Sequence, residues 1–426
     1  MKKLFYFVFI VLCTIACNNE DCLEAFISHD TSKVTELRSY DEALQVALDG
    51  IKILEGRNIQ TRSQQLVHRE LDLTNGVSYI VNHKTRSSET ASGNDTLMYV
   101  FNFMNDKGFA IVSANPNTDG LLAVTESGHY DSEARNSNSG FGFFMDMAEE
   151  YVRNSTRGVD TTKHDVSHMM EDYRMVYDTI ESQVGPLVHL CWGQDNCYGQ
   201  YCPNQTSGCA ITAAAMAMAY FKYPAGMTFT YSGRDINYQS FDWDDIQRHY
   251  SCRGTFDLCY AYNQDSVHNS IGRLCRQLGE LADASYNINE IGPNETKCNS
   301  NDIRRAIETL GYHVGSITQY SPLCIKNNLT STRLMIMFGH DQNNKGHAWL
   351  AEGYHYVKYI QYEEQTLDYG LTWTMVPRSR RIEETMLNYI NWGWNGDNNG
   401  YFNDGVFNVS GSNYNINSIG YFTIYR

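Results

Sequence analysis

Gln205-Thr206-Ser207-Gly208-Cys209-Ala210-Ile211-Thr212-Ala213-Ala214-Ala215-Met216-Ala217-Met218-Ala219-Tyr220 is the stretch on which the fold turns. From Cys209 onward it is dense in Ala and Met, both strong helix formers, and the run stops short of Pro224. Gly208 permits an unusual backbone immediately before the helix. Cys209 is thereby placed at a helix N-terminus, where the macrodipole favours the thiolate, the reactive form of cysteine. The small side chains allow other elements to approach closely. Taken alone, the segment fits a nucleophile and a structural cysteine at a tight packing point equally well.

A cysteine nucleophile needs a base, usually His, and a group that orients the base. His347 lies in Lys345-Gly346-His347-Ala348-Trp349-Leu350-Ala351-Glu352-Gly353-Tyr354, which reads as a strand entered through a glycine. Asn391 lies in Asn388-Tyr389-Ile390-Asn391-Trp392-Gly393-Trp394-Asn395-Gly396, a strand running into a turn rich in Gly, Asn and Trp. An Asn can accept from an imidazole N–H without adding charge, and a neighbouring Trp can keep water off that bond. His340 is the rival base. His355 is further along the strand of His347, and His189 would enter a site only in a different fold.

Together, Gly208-Cys209-Ala210 opening an Ala-rich helix, Gly346-His347-Ala348-Trp349, and Asn391-Trp392-Gly393-Trp394 followed by Gly400-Tyr401-Phe402 resemble the streptopain family of cysteine peptidases. The resemblance covers Pro186 to the C-terminus. It implies an α+β, papain-like catalytic domain of two subdomains, one holding the Cys209 helix and the other an antiparallel sheet. It also implies roles: Cys209 as nucleophile, His347 as general base, Asn391 orienting His347, and Trp392 shielding the pair. Gln194, in Pro186-Leu187-Val188-His189-Leu190-Cys191-Trp192-Gly193-Gln194, is implied as an oxyanion-hole donor, with Gln205 as the alternative. The acid after the His motif is Glu352 where the family usually has Asp. An insertion around Leu367 to Glu384, with Arg378, Arg380 and Arg381, places a basic loop near the cleft. No metal or organic cofactor is required by this chemistry.

The region before residue 185 contains no cysteine after Cys22, so its composition differs from that of residues 185–426. It predicts a hairpin, Met98 to Phe103 with Phe109 to Ala114, around the Asn105-Asp106-Lys107-Gly108 turn. A strand over Leu121 to Thr125 and a helix over Phe141 to Arg153 come next. This unit, 18–153, resembles the family's inhibitory propeptide through Phe109-Ala110-Ile111-Val112-Ser113-Ala114. Residues 154–184 read as an exposed linker and then a helix from Asp165, because Met169, Tyr173, Val176, Tyr177 and Ile180 recur at helical spacing. The catalytic domain is expected over 185–426, with the N-terminal unit as its own inhibitor.

Lys2 and Lys3 followed by the apolar run Leu4 to Ala16 read as an export signal, too short to span a bilayer comfortably. Thr14-Ile15-Ala16-Cys17 resembles a lipobox with Cys17 as the lipid attachment site, which predicts a bacterial surface lipoprotein; an ordinary cleaved signal peptide, and secretion, is the alternative. A formal net charge of −16 argues against nucleic acid as a partner. The partners expected are protein and peptide substrates, with membrane contact only through a lipid. Twelve cysteines suit an exported protein. With Cys209 unpaired, eight of those from Cys191 on remain for up to four disulfides, and structural zinc is the competing use. Two other functions share the residues: an acyl transferase on the same triad, and an inactive binding lipoprotein on the same scaffold.

Overall fold

The computed structural model describes residues 37–56, 68–73, 77–81, 96–131, 139–155, 173–231, 234–250, 265–286, 295–340, 346–365, 374–375, 380–408 and 419–426. In chain order the first half contains α1 (Tyr40–Gly56), β1 (Val77–Val81), β2 (Thr96–Asn102), β3 (Phe109–Ser113), β4 (Leu121–Thr125), α2 (Ser139–Asn154) and β5 (Tyr173–Val184). The second half opens with α3 (Cys209–Phe221), β6 (Gly226–Tyr231), β7 (Arg234–Ser240), α4 (Trp243–Tyr250), α5 (Asp265–Leu281) and α6 (Ser300–Thr309). It continues with β8 (His313–Val314), β9 (Thr318–Gln319), α7 (Cys324–Leu329), β10 (Leu334–His340), β11 (Gly346–Gln365), β12 (Thr374–Met375), β13 (Arg381–Asn391), β14 (Gly400–Asn403) and β15 (Gly420–Tyr425).

One antiparallel sheet runs through both halves. Its order is β1-β2-β3-β4-β14-β13-β11-β10-β15-β8, with β5 and β12 on β11 and β9 on β15. The join is β4 against β14, where Gly400, Tyr401 and Phe402 pair with Thr125, Val124 and Ala123. The composition break near residue 185 is therefore not a break in the sheet, and Leu37–Arg426 cluster as one unit.

Strand alternation explains the layering. In β2 and β3, Tyr99, Phe101, Ala110 and Val112 face α1, together with Leu387, Tyr389 and Tyr401 from β13 and β14. Met98, Val100, Phe109 and Ile111 face the opposite way, into the cluster that holds α2 and the Cys209 helix. The two faces follow from the period of two along a strand. The expected hairpin, the strand over Leu121–Thr125 and the helix starting near Phe141 are all present.

The helix expected from Asp165 is not the described structure. Residues 156–172 lie outside the described residues, and Tyr173–Val184 is the strand β5, paired along its length with β11 from Tyr354↔Val184 to Gln365↔Tyr173. The reason is chemical: Tyr, Val, Thr and Ile populate this segment, and such side chains fit a pleated surface better than a helix. Tyr177 is 70% exposed and Ile180 50% exposed, so the spacing that suggests a buried helical stripe does not mark a core face.

α3 is the buried axis of the second half. Ala210 to Ala219 are all buried, as a helix that is apolar on every side requires. It packs on β10 and β11 on one side and on α5 and α6 on the other.

Candidate active site

Gly208, at φ +92°, caps α3, a backbone setting that favours glycine. A side chain there would also meet Thr296, whose Cβ lies 3.0 Å from the position a Cβ would take. Cys209 is the first residue of the helix and is half-buried. Its Sγ accepts the Ala348 N–H at 3.3 Å, so the thiol is pinned against β11 one residue past His347. Burial pushes the Cys209 thiol up, while the backbone N–H groups of Ala348, Ala210 and Cys209 itself act in the opposite direction.

His347 is buried, at 6% exposure, and sits among three indoles. Ring centroids lie 6.2 Å away for Trp349, 6.2 Å for Trp394 and 6.4 Å for Trp392. Nε2 of His347 donates to the Trp392 main-chain carbonyl at 3.1 Å. A neutral imidazole that donates from Nε2 carries its acceptor on Nδ1. Trp392 is itself fully buried.

The bond to His347 Nε2 thus comes from the main chain of Trp392, and the Asn391 side chain is engaged elsewhere. Its Nδ2 donates to the Leu190 carbonyl at 2.8 Å and to Glu352 Oε1 at 3.1 Å, and its Oδ1 accepts from Gly393 N–H at 3.2 Å. Asn391 holds the turn that carries Trp392. Glu352, 1% exposed, accepts from Val188 N–H through Oε2 at 2.5 Å as well as from Asn391. One buried carboxylate therefore ties the segment leading to Gln194, the His347 strand and the Asn391 turn together. In the sequence Glu352 stands out only as a departure from Asp; its adjacency to the His motif is the available signal. Glu352→Ala would strand a buried amide and a buried N–H. The expected loss is about 2–4 kcal/mol of unfolding free energy, read as a lower denaturant midpoint.

The Gln194 carbonyl accepts from Ser207 N–H at 2.8 Å and Ser207 Oγ at 3.1 Å, which straps its loop to the residues before Cys209. Thr212 Oγ1 adds a bond to the Gly193 carbonyl at 3.2 Å. The side-chain Nε2 of Gln194 is buried with no hydrogen-bond partner. A buried donor without an acceptor is costly. Gln205 is exposed, at φ +61°. Of the two glutamines, Gln194 holds the buried, unused donor and Gln205 faces solvent. Gln194→Ala is expected to lower kcat about 10²–10³-fold with a far smaller change in KM, measured on a soluble peptide.

The other histidines lie apart from this arrangement. His340 is exposed at the end of β10, opposite Gly346. His355 Nε2 pairs with Glu181 Oε1 at 2.8 Å. His189 adopts φ +53° in the segment after β5. Cys17 and most of the 367–384 insertion lie outside the described residues; Arg380 and Arg381 are exposed at the start of β13.

The cysteine pattern differs from the expectation of up to four disulfides. Cys191 is disulfide-bonded, but Cys197, Cys202, Cys275, Cys298 and Cys324 form no disulfide, and neither does Cys209. Three of them serve as small core residues: Cys275, Cys324 and Cys202 are 0%, 4% and 4% exposed. Burial raises Cys202 to about 11 and both Cys298 and Cys324 to about 12, which disfavours their thiolates. Among the described residues no group of three or more His, Cys, Asp or Glu is arranged to hold a metal ion.

The first turn of α2 reaches this site, a contact sequence reasoning missed. A Cβ on Gly140 would fall 2.4 Å from His347 Cδ2, 2.5 Å from Trp392 Cε3 and 2.7 Å from His347 Nε2. Only glycine lets the helix lie this close. Three residues on, Phe143 packs on Trp349, and Phe144 packs edge-on against Phe402 at 4.7 Å.

Two family models match the chain: the Peptidase C10 family over residues 192–402 and the Spi protease inhibitor over residues 31–157. Streptopain of Streptococcus pyogenes is 24% identical over 245 residues, 51% of this chain and 56% of the relative, and the streptopain of serotype M1 aligns equally. The chain thus spans little more than half the length of the curated relatives it matches. Among solved structures, a prointerpain A fragment from Prevotella intermedia superposes with a TM-score of 0.51 at 20% identity, covering 84% of this chain and 98% of the fragment. The fold is the papain-like one expected from the Cys209 helix and the His347 strand, and the chain carries a Peptidase C10 family domain behind a Spi protease inhibitor domain.

Proposed function

We propose that this chain is an exported cysteine endopeptidase made as a zymogen, hydrolysing peptide bonds through a Cys209 acyl-enzyme. Cys209 attacks the peptide carbonyl, and His347, held through Nε2 by the Trp392 carbonyl, moves the proton through Nδ1 to the leaving amine. Gln194 Nε2 and the Cys209 N–H receive the oxyanion. The carrying observation is a thiol at a helix N-terminus, pinned to the strand of His347, with the unspent, buried Gln194 donor in the loop strapped to Ser207. In this reading Asn391 orients His347 through the turn that carries the Trp392 carbonyl. Residues 1–17 supply the export signal, with Cys17 as the lipid attachment site on a bacterial surface.

Latency comes from α2. Its Phe141, Phe144, Met145 and Met147 are at most 2% exposed, and each such burial is worth about 1.5–3 kcal/mol. A nick between α2 and β5 would by itself leave this helix docked; release needs the N-terminal unit to be digested or displaced. The test is labelling of the trimmed protein with a thiol-directed epoxide under reducing conditions. Cys209 is expected to react far faster than Cys197 or Cys298, which are also half-buried and outside any disulfide. Equal labelling would sink the peptidase reading. The acyl-transferase reading predicts that an added amine captures the acyl group in preference to water.

A further inference from the structure

α2 both covers the site and fills a slot beside it. On β11 and β10, His347 and Gly339 are cross-strand partners, so they share one face of the sheet. Trp349, two residues past His347, shares it too, opposite Met337. Gly339 leaves a gap in that face, and Phe143 occupies the gap. A Cβ on Gly339 would lie 2.8 Å from Phe143 Cζ and 3.3 Å from Trp349 Cη2. The Phe143 ring stands 6.0 Å from the Trp349 ring at 45° and is 6% exposed. The slot thus has a glycine floor and an indole wall that stacks on the catalytic imidazole. Its first occupant is an aromatic side chain of the chain's own N-terminal unit.

We infer that, once α2 leaves, this slot is a substrate subsite for a large apolar side chain on the leaving-group side of the scissile bond. The inference rests on the peptidase reading above. The side follows from the division of labour. The acyl half of the substrate is bonded to Cys209, whose sulfur is held at Ala348, whereas the amine half departs from His347. The slot is built on His347's cross-strand partner and on the Trp that stacks against its ring, so it lies with the departing half. An uncovered Trp349 beside an empty floor is an apolar surface that favours burial by a ligand.

The test uses the full chain after it has been trimmed, with two peptides that differ only in the residue following the scissile bond, Phe or Gly. The wild type is expected to prefer Phe by about tenfold to hundredfold in kcat/KM, the range an apolar pocket supplies. Gly339→Leu is expected to bring that ratio near one by filling the slot. Gly339→Ala, whose single methyl would lie 3.3 Å from Trp349 Cη2, is a smaller second variant and is expected to fall between. A wild-type ratio near one, or a ratio unchanged in both variants, overturns the subsite while the peptidase reading stands. A second matched pair carries Phe or Gly before the scissile bond; if Gly339→Leu abolishes the preference within that pair instead, the slot serves the acyl side and the inference is wrong. If no peptide is cut, the peptidase reading and this inference fall together.

Discussion

Replacing Cys209 by alanine is expected to lower peptide hydrolysis about 10⁴–10⁶-fold and to leave the chain at full length when it is purified alone. The sulfur is the only atom proposed to bond the substrate, and its loss removes the covalent path entirely. What remains is the Gln194 donor and substrate binding, which is why the residual rate need not fall to that in water. The substitution deletes one polar atom beside the Ala348 N–H and introduces no bulk. The fold should therefore survive, and the far-ultraviolet circular dichroism spectrum should match the wild type. Trimming of purified Cys209→Ala protein to the mature size would exclude self-processing and point to another protease.

Gly140→Leu is expected to unmask activity in the uncut chain. The new Cβ alone would fall 2.4 Å from His347 Cδ2 and 2.5 Å from Trp392 Cε3, inside any tolerable contact. Both neighbours are fixed, His347 by the Trp392 carbonyl and Trp392 by full burial, so the start of α2 must yield. Overpacking of this kind costs about 1–3 kcal/mol, which corresponds to about 10–10²-fold weaker occlusion. The readout is the initial rate of Gly140→Leu protein on a short fluorogenic peptide before any trimming, against a wild-type zymogen that is near silent. A variant as silent as the wild type would mean that α2 does not control access to His347.

How legible the structure is in the sequence differs by element. The Ala/Met run marks α3 because a helix that must be buried on all sides has few other compositions. The His347 strand and the Trp392–Trp394 turn are legible as motifs. The Trp392 carbonyl is not, because a main-chain acceptor leaves no mark on residue type; the side chain next to it, Asn391, attracts the credit for the bond. Gly140 is invisible for a related reason, since its role is to have no side chain at a contact made by residues two hundred positions away. β5 misleads because its residues satisfy a helical spacing and a strand composition at once, and only pairing with β11 decides between them.

The seam between β4 and β14 has a consequence for the trimmed molecule. While the N-terminal unit is present, β14 is an interior strand with neighbours on both sides. Without that unit, β14 becomes a border of the sheet, its outward N–H and C=O groups open to any extended chain and Tyr401 and Phe402 newly uncovered. Borders of this kind recruit other strands and promote self-association. β14 spans only Gly400–Asn403, which limits the template to a few hydrogen bonds. The N-terminal unit would then keep the protein monodisperse as well as silent, and the trimmed form should be the less soluble of the two at high concentration.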